Sequence, residues 1–141
     1  MLEIFVLWFV MLVITVITIP FADILFGHLP AGGYGFAKTL GLLLLGYFVW
    51  LLASLHLAPF AWGTICFALI LLTFLGIALD RARGTNSFKK VLSPESLKHI
   101  LLTEGVFVIS LALFTIIRSG VPDIAATEKP MDMAFINAII D

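Results

Sequence analysis

The chain has 141 residues, of which 62% are hydrophobic and only 12% charged, with a mean hydropathy of +1.17. Soluble domains carry about twice that share of charge, so an ordinary water-soluble domain is excluded. A formal net charge of −1 gives no electrostatic basis for binding nucleic acid, and a lone cysteine, Cys66, allows no disulfide within the chain. The class that remains is integral membrane protein.

A bilayer core takes about 20 apolar residues per helix. Residues 4–22 carry no charge and form the first predicted span, with Pro20 near its end. Residues 39–79 contain no Asp, Glu, Lys or Arg and are too long for one span. His56-Leu57-Ala58-Pro59 breaks this run, because proline disfavours helix at the residue before it. The spacing predicts spans at 39–57 and 60–79 joined by a tight hairpin. Ser93-Pro94-Glu95-Ser96 has the pattern of a helix start, with Ser93 as cap and Pro94 at the first position. It leads into a fourth span at 100–117, where Glu104 sits one turn inside. Lipid offers no hydrogen bonds to backbone, so these spans are expected as helices. The expected fold is all-α: one integral membrane unit over 1–141, with four spans and a short interfacial helix at its C-terminal end.

The loops set the orientation. The 80–99 loop holds Arg81, Arg83, Lys89, Lys90 and Lys98, and the positive-inside rule makes it cytoplasmic. Threading the spans from there leaves the 23–38 loop, with Lys38, on the same side. Six of the eight Lys and Arg then fall inside; Arg118 and Lys129 fall outside. The expected location is the cell membrane, with 118–141 extracytoplasmic.

Three features inside the spans and loops raise functional questions. The stretch from Gly32 to Thr39, GGYGFAKT, is one residue from a phosphate-binding loop, with Ala37 in place of the second glycine. That loop works between a strand and a helix of an α/β domain. Here no strand precedes it, and it reads as a glycine turn with Lys38 anchoring the inner interface. Glu104 is an acid inside a span, a default functional candidate. Its place near the cytoplasmic end favours a structural contact, with Lys98 or His99 as partners. His56 reads as an interfacial residue: no second His or Cys stands at ligand spacing, so no metal site is expected.

The tail is the most informative segment. Arg118, Asp123, Glu128, Lys129 and Asp132 cluster directly after the last span, and Pro130 then opens a mostly apolar stretch, MDMAFINAII. Proline followed by an acid is a helix-start pattern, and a helix this short would lie along the interface. Carboxylates and cations at the lipid boundary suit a ligand with a charged head and a lipid tail. A carboxylate there can serve as general base toward an acceptor hydroxyl, or hold a divalent cation on a phosphate. The plainer reading is a solvated loop.

Two segments, GYGFAKTLGLLLLGYFVWLLASL (33–55) and RSGVPDIAATEKPMDMAFINAI (118–139), resemble the N-terminal part of the YYY family of membrane proteins. In that family the Glu-Lys-Pro-Met-Asp segment is followed by a Pro-Pro-x-Asp-x-Trp stretch and an Asn-Tyr-Tyr-Tyr motif. This chain stops before both, so the resemblance makes it the N-terminal piece of a longer parent. The family in turn resembles integral-membrane glycosyltransferases of the GT-C type, which take sugar from a polyprenyl-phosphate carrier on the outer face. The resemblance gives Glu128 and Asp132 the role of catalytic acids, either of them serving as the base. It gives Arg118 and Lys129, with Asp123, the role of binding the donor.

The reading that follows is the N-terminal part of a GT-C-like glycosyltransferase. Its substrate is a polyprenyl-phosphate-linked sugar, and its partners are membrane lipid and the rest of the parent chain. Two other classes compete: a transporter or channel module, which would place polar or broken helices at mid-membrane, and a non-enzymatic membrane scaffold.

Overall fold

The computed structural model describes residues 2–120. Among them the order is α1 (Leu2–Phe26), a 3-10 turn (Pro30–Gly33), α2 (Tyr34–Ser54), α3 (Trp62–Ala82), α4 (Ser87–Val91) and α5 (Pro94–Ser119). The described residues are all-helical, without a strand. Four helices, α1, α2, α3 and α5, are long and apolar enough to cross a membrane. The fourth begins at Pro94, where Ser93 Oγ accepts from the Ser96 N–H at 3.3 Å, the cap that the sequence pattern predicts. The interfacial helix expected after Pro130 lies outside the described residues.

The chain divides into two compact units, Met1–Val106 and Phe107–Asp141. In the first, α1 packs on both α2 and α3, and small residues set how closely. Ala37 and Ala68 are fully buried. A Cβ on Gly41 would overlap Ile14 Cγ2 and stand 3.0 Å from Thr18 Oγ1; one on Gly76 would stand 3.2 Å from Phe21 Cε2. Small residues admit this approach because lipid gives no hydrophobic drive between spans, leaving van der Waals contact and hydrogen bonds. The Thr18 hydroxyl supplies one such bond: it lies 2.8 Å from both Ile14 O and Ala37 O, its single hydrogen shared between α1 and α2.

Two helix ends turn by the same device. After α2, His56 takes a left-handed φ of 56°, Leu57 N donates to Leu52 O at 3.0 Å and His56 N to Ala53 O at 3.0 Å. After α3, Gly84 (φ 63°) stands in the same place, with Thr85 N donating to Asp80 O and Gly84 N to Arg81 O, each at 3.1 Å. Both are Schellman caps, in which the left-handed residue lets the chain reverse while closing orphan carbonyls. The hairpin expected around Pro59 therefore turns at His56, and α3 starts at Trp62.

At the end where α1 meets α4, Ile19, Ala31, Tyr34 and Val91 form a buried cluster, with Phe88 and Ile100 against it. Of the second unit, the described part continues α5, with Val108, Ile109, Leu113, Phe114, Ile116 and Ile117 exposed. Side chains of this kind on a helix of spanning length suit hydrocarbon surroundings.

Candidate functional site

Glu104 lies on α5 and is reached by three donors from two other helices. Lys38 Nζ and Tyr34 OH (2.8 Å), both of α2, donate to its Oε1, and Trp8 Nε1 of α1 donates to Oε2 at 3.3 Å. Lys38 is 7% exposed, and its ammonium also lies 5.5 Å from the centre of the Tyr34 ring. A carboxylate in this setting has its charge balanced and its lone pairs occupied, which is what a low-dielectric site requires. The expectation that Lys38 anchors the interface gives way here: its side chain turns inward. Lys98 and His99, the expected partners of Glu104, are exposed, and His99 Nδ1 lies 3.2 Å from Glu95 O.

A second cluster joins α1, α3 and α4. Asp80 Oδ1 accepts from Ser87 Oγ at 2.6 Å and Thr85 Oγ1 at 2.9 Å, while its Oδ2 accepts from Ser87 N at 3.1 Å. Asp23 Oδ1 accepts from Lys90 Nζ at 2.7 Å, with Arg83 Nη1 3.9 Å from Oδ2. Lys90 Nζ donates also to Gly27 O at 2.7 Å. Both acids are buried, at 7% and 9% exposure. Backbone geometry is fitted to them: a Cβ on Gly32, whose φ is +63°, would come within 3.0 Å of Asp23 Oδ1. Asn86 caps α4 by accepting from Lys89 N at 3.1 Å, so the charged loop is ordered by its own polar groups. Among the described residues, no third His, Cys, Asp or Glu joins Asp23 and Asp80 as a metal-binding group.

The sequence reading missed Asp23, Asp80, Ser87 and Lys90. A signal existed. Counting spans puts the 23–38 and 80–99 loops on one side, so the acid of the first faces the cations of the second. Of the residues expected to carry chemistry, Arg118 stands half-buried in the last turn of α5. Asp123, Glu128, Lys129 and Asp132 lie outside the described residues.

Residues 44–141, more than half of the chain, match the family model described as an uncharacterized membrane protein (DUF2298), and the chain belongs to that family. The matched stretch covers the second half of α2, all of α3, α4 and α5, and the acidic tail. No curated protein and no solved structure matches the chain.

Proposed function

We propose that the chain is the membrane-embedded N-terminal part of a GT-C-like glycosyltransferase, which moves a sugar from a polyprenyl-phosphate donor to an acceptor on the extracytoplasmic face. One observation supports this most: the carboxylates buried in or beside the described spans are already occupied. Glu104 is bound by Lys38, Tyr34 and Trp8, Asp80 by Ser87 and Thr85, and Asp23 by Lys90. Chemistry on a charged lipid substrate then falls to the acids of the tail, Asp123, Glu128 and Asp132, which follow α5 in the sequence.

In this reading the carboxylate of Glu128 or Asp132 takes the proton of an acceptor hydroxyl as its oxygen attacks the anomeric carbon. The bond from that carbon to the phosphate oxygen breaks, and the lipid phosphate leaves with the electron pair. Configuration at the sugar inverts. Arg118 and Lys129 offset the charge on the leaving phosphate; the planar guanidinium can grip two oxygens, which the ammonium cannot. Asp123 joins them in holding the donor, and a divalent cation on the phosphate is compatible with the same acids. The orientation behind this assignment rests on the cations of the 81–98 segment, which mark that end as cytoplasmic.

The test is transfer from a polyprenyl-phosphate sugar by the full-length parent carrying Glu128→Gln or Asp132→Asn. Loss of the base lowers turnover by about 10²–10⁴-fold with folded yield preserved. Near-normal turnover in both variants would reduce the tail to a charged surface. A scaffold is the second reading, favoured by the fact that both described polar clusters fasten helices to one another. It predicts no transfer in the parent and a loss of partner assembly when the clusters are broken.

A further inference from the structure

The six cations gathered at the loop end of the first unit divide into two sets. Lys38 is spent on Glu104 and Lys90 on Asp23, while Arg83 stands 3.9 Å from Asp23. Arg81, Lys89 and Lys98 are exposed and have no acidic partner among the described residues. The acids are arranged the opposite way. Asp23 and Asp80 point inward, and Glu95 is the one exposed acid between residues 81 and 99. The outward surface is therefore cationic, since residues 80–99 hold five Lys and Arg against Asp80 and Glu95, and Asp80 is turned inward.

Apolar side chains stand within the same surface. In α4 and the start of α5, Ser87, Val91 and Ser96 face inward at 1%, 5% and 7% exposure, while Leu92 and Leu97 face outward at 70% and 45%. Leu101 and Leu102 on the next turn continue this exposure along α5 at 71% and 68%. Along the chain the exposed Leu92 and Leu97 thus lie between the exposed Lys89 and Lys98, and the exposed Leu101 and Leu102 follow on the span. An acidic soluble partner would pair with the cations and leave those leucines in water. A lipid headgroup, with its acyl chains beside it, matches both.

We propose that this face binds anionic phospholipid headgroups. Arg81, Lys89 and Lys98 meet the phosphates, and Leu92 and Leu97 enter the acyl boundary. Lys90 and Arg83, held by Asp23, contribute to the fold instead. The assignment needs only that the chain sits in a membrane and is independent of the transferase reading.

The experiment reconstitutes the full chain in phosphatidylcholine vesicles with trace spin-labelled phosphatidylglycerol or phosphatidylcholine. The electron paramagnetic resonance spectrum reports how much of each label is immobilised on the protein. Attraction of about 1 kcal/mol per cation near an anionic surface corresponds to roughly fivefold in selectivity. The wild-type chain is expected to prefer phosphatidylglycerol, and less so at high salt. Arg81→Gln, Lys89→Gln and Lys98→Gln together should bring the ratio near one with helicity unchanged. Should the triple variant fail to insert, Lys89→Gln and Lys98→Gln singly should each lower selectivity about fivefold. A wild-type chain without preference, or variants that keep it, overturns the proposal. A wild-type chain that ignores phosphatidylglycerol but captures polyglutamate would assign the face to an acidic protein segment, and overturns it equally.

Discussion

Lys38 and Glu104, 66 residues apart in the chain, form a partly buried ion pair between α2 and α5. Sequence proximity suggests Lys98 or His99 for Glu104, but helix geometry forbids them. At about 100° per residue, positions five and six before Glu104 point more than a quarter-turn away from it. Ile100, one turn before Glu104, shares its face and packs against the cluster that includes Tyr34.

Breaking this pair on one side should cost more than removing it whole. Glu104→Leu leaves an ammonium buried without its counter-charge, a loss of about 3–5 kcal/mol. Lys38→Met combined with Glu104→Leu should lose less than either single change. Thermal unfolding of the four proteins in one detergent closes the cycle, and additive losses would show that the two residues do not interact.

Two glycines of α2 should respond with opposite signs. Gly41→Ala drives a methyl into Ile14 and Thr18 and parts α1 from α2, a loss of about 1–3 kcal/mol. Gly46→Ala meets nothing within 4 Å and should gain up to about 1 kcal/mol from helix propensity. Melting temperatures measured side by side decide it; equal shifts would remove the close α1–α2 contact as a determinant of stability.

Asp80 holds the start of α4 through Ser87 N and Oγ. Asp80→Ala should release residues 84–91 while leaving the spans helical. Losing about 1.4 kcal/mol of local stability raises the open fraction tenfold. Trypsin should then cut after Lys89 about ten times faster, with circular dichroism unchanged. An unaltered cleavage rate would mean that the loop is held by something other than Asp80.

Sidedness is tested by cysteine labelling in a Cys66→Ala background. With the 80–99 loop cytoplasmic and the tail outside, a membrane-impermeant maleimide on intact cells should modify Ala125→Cys and spare Lys89→Cys. The reverse pattern would invert the orientation and remove the tail from the extracytoplasmic face.

The spans were legible because each is a long run of one chemistry. No partner choice is needed to see that residues 4–22 or 60–79 belong in lipid. Helix ends were less so: α2 stops at Ser54, two residues before His56, because a left-handed residue closes the cap, and histidine is an unusual occupant of that position. The polar clusters were the least legible. Asp23, Asp80 and Lys38 look like ordinary loop and boundary charges; counting spans brings Asp23 to the side of the 81–98 cations, but which residue meets which follows from the fold. Of the transferase site expected in the tail, Arg118 ends α5, while Asp123, Glu128, Lys129 and Asp132 lie outside the described residues.

The spacing of these contacts along the chain also bears on how the protein is made. Asp23 meets Lys90 67 residues later, and Lys38 meets Glu104 66 residues later. At roughly 5–20 residues per second, each charge waits about 3–13 s for its counterpart to leave the ribosome. During that interval the nascent α1–α2–α3 portion must rely on uncharged contacts: the Thr18 hydroxyl on Ala37 O, and the glycines at 41 and 76. Asp23 and Lys38 both lie close to the same loop, where water can solvate them while they wait. The ion pairs then act as late fasteners, closing only once α4 and α5 have emerged, and a ribosome stalled before residue 90 would leave a membrane-inserted hairpin set with its charges still wet.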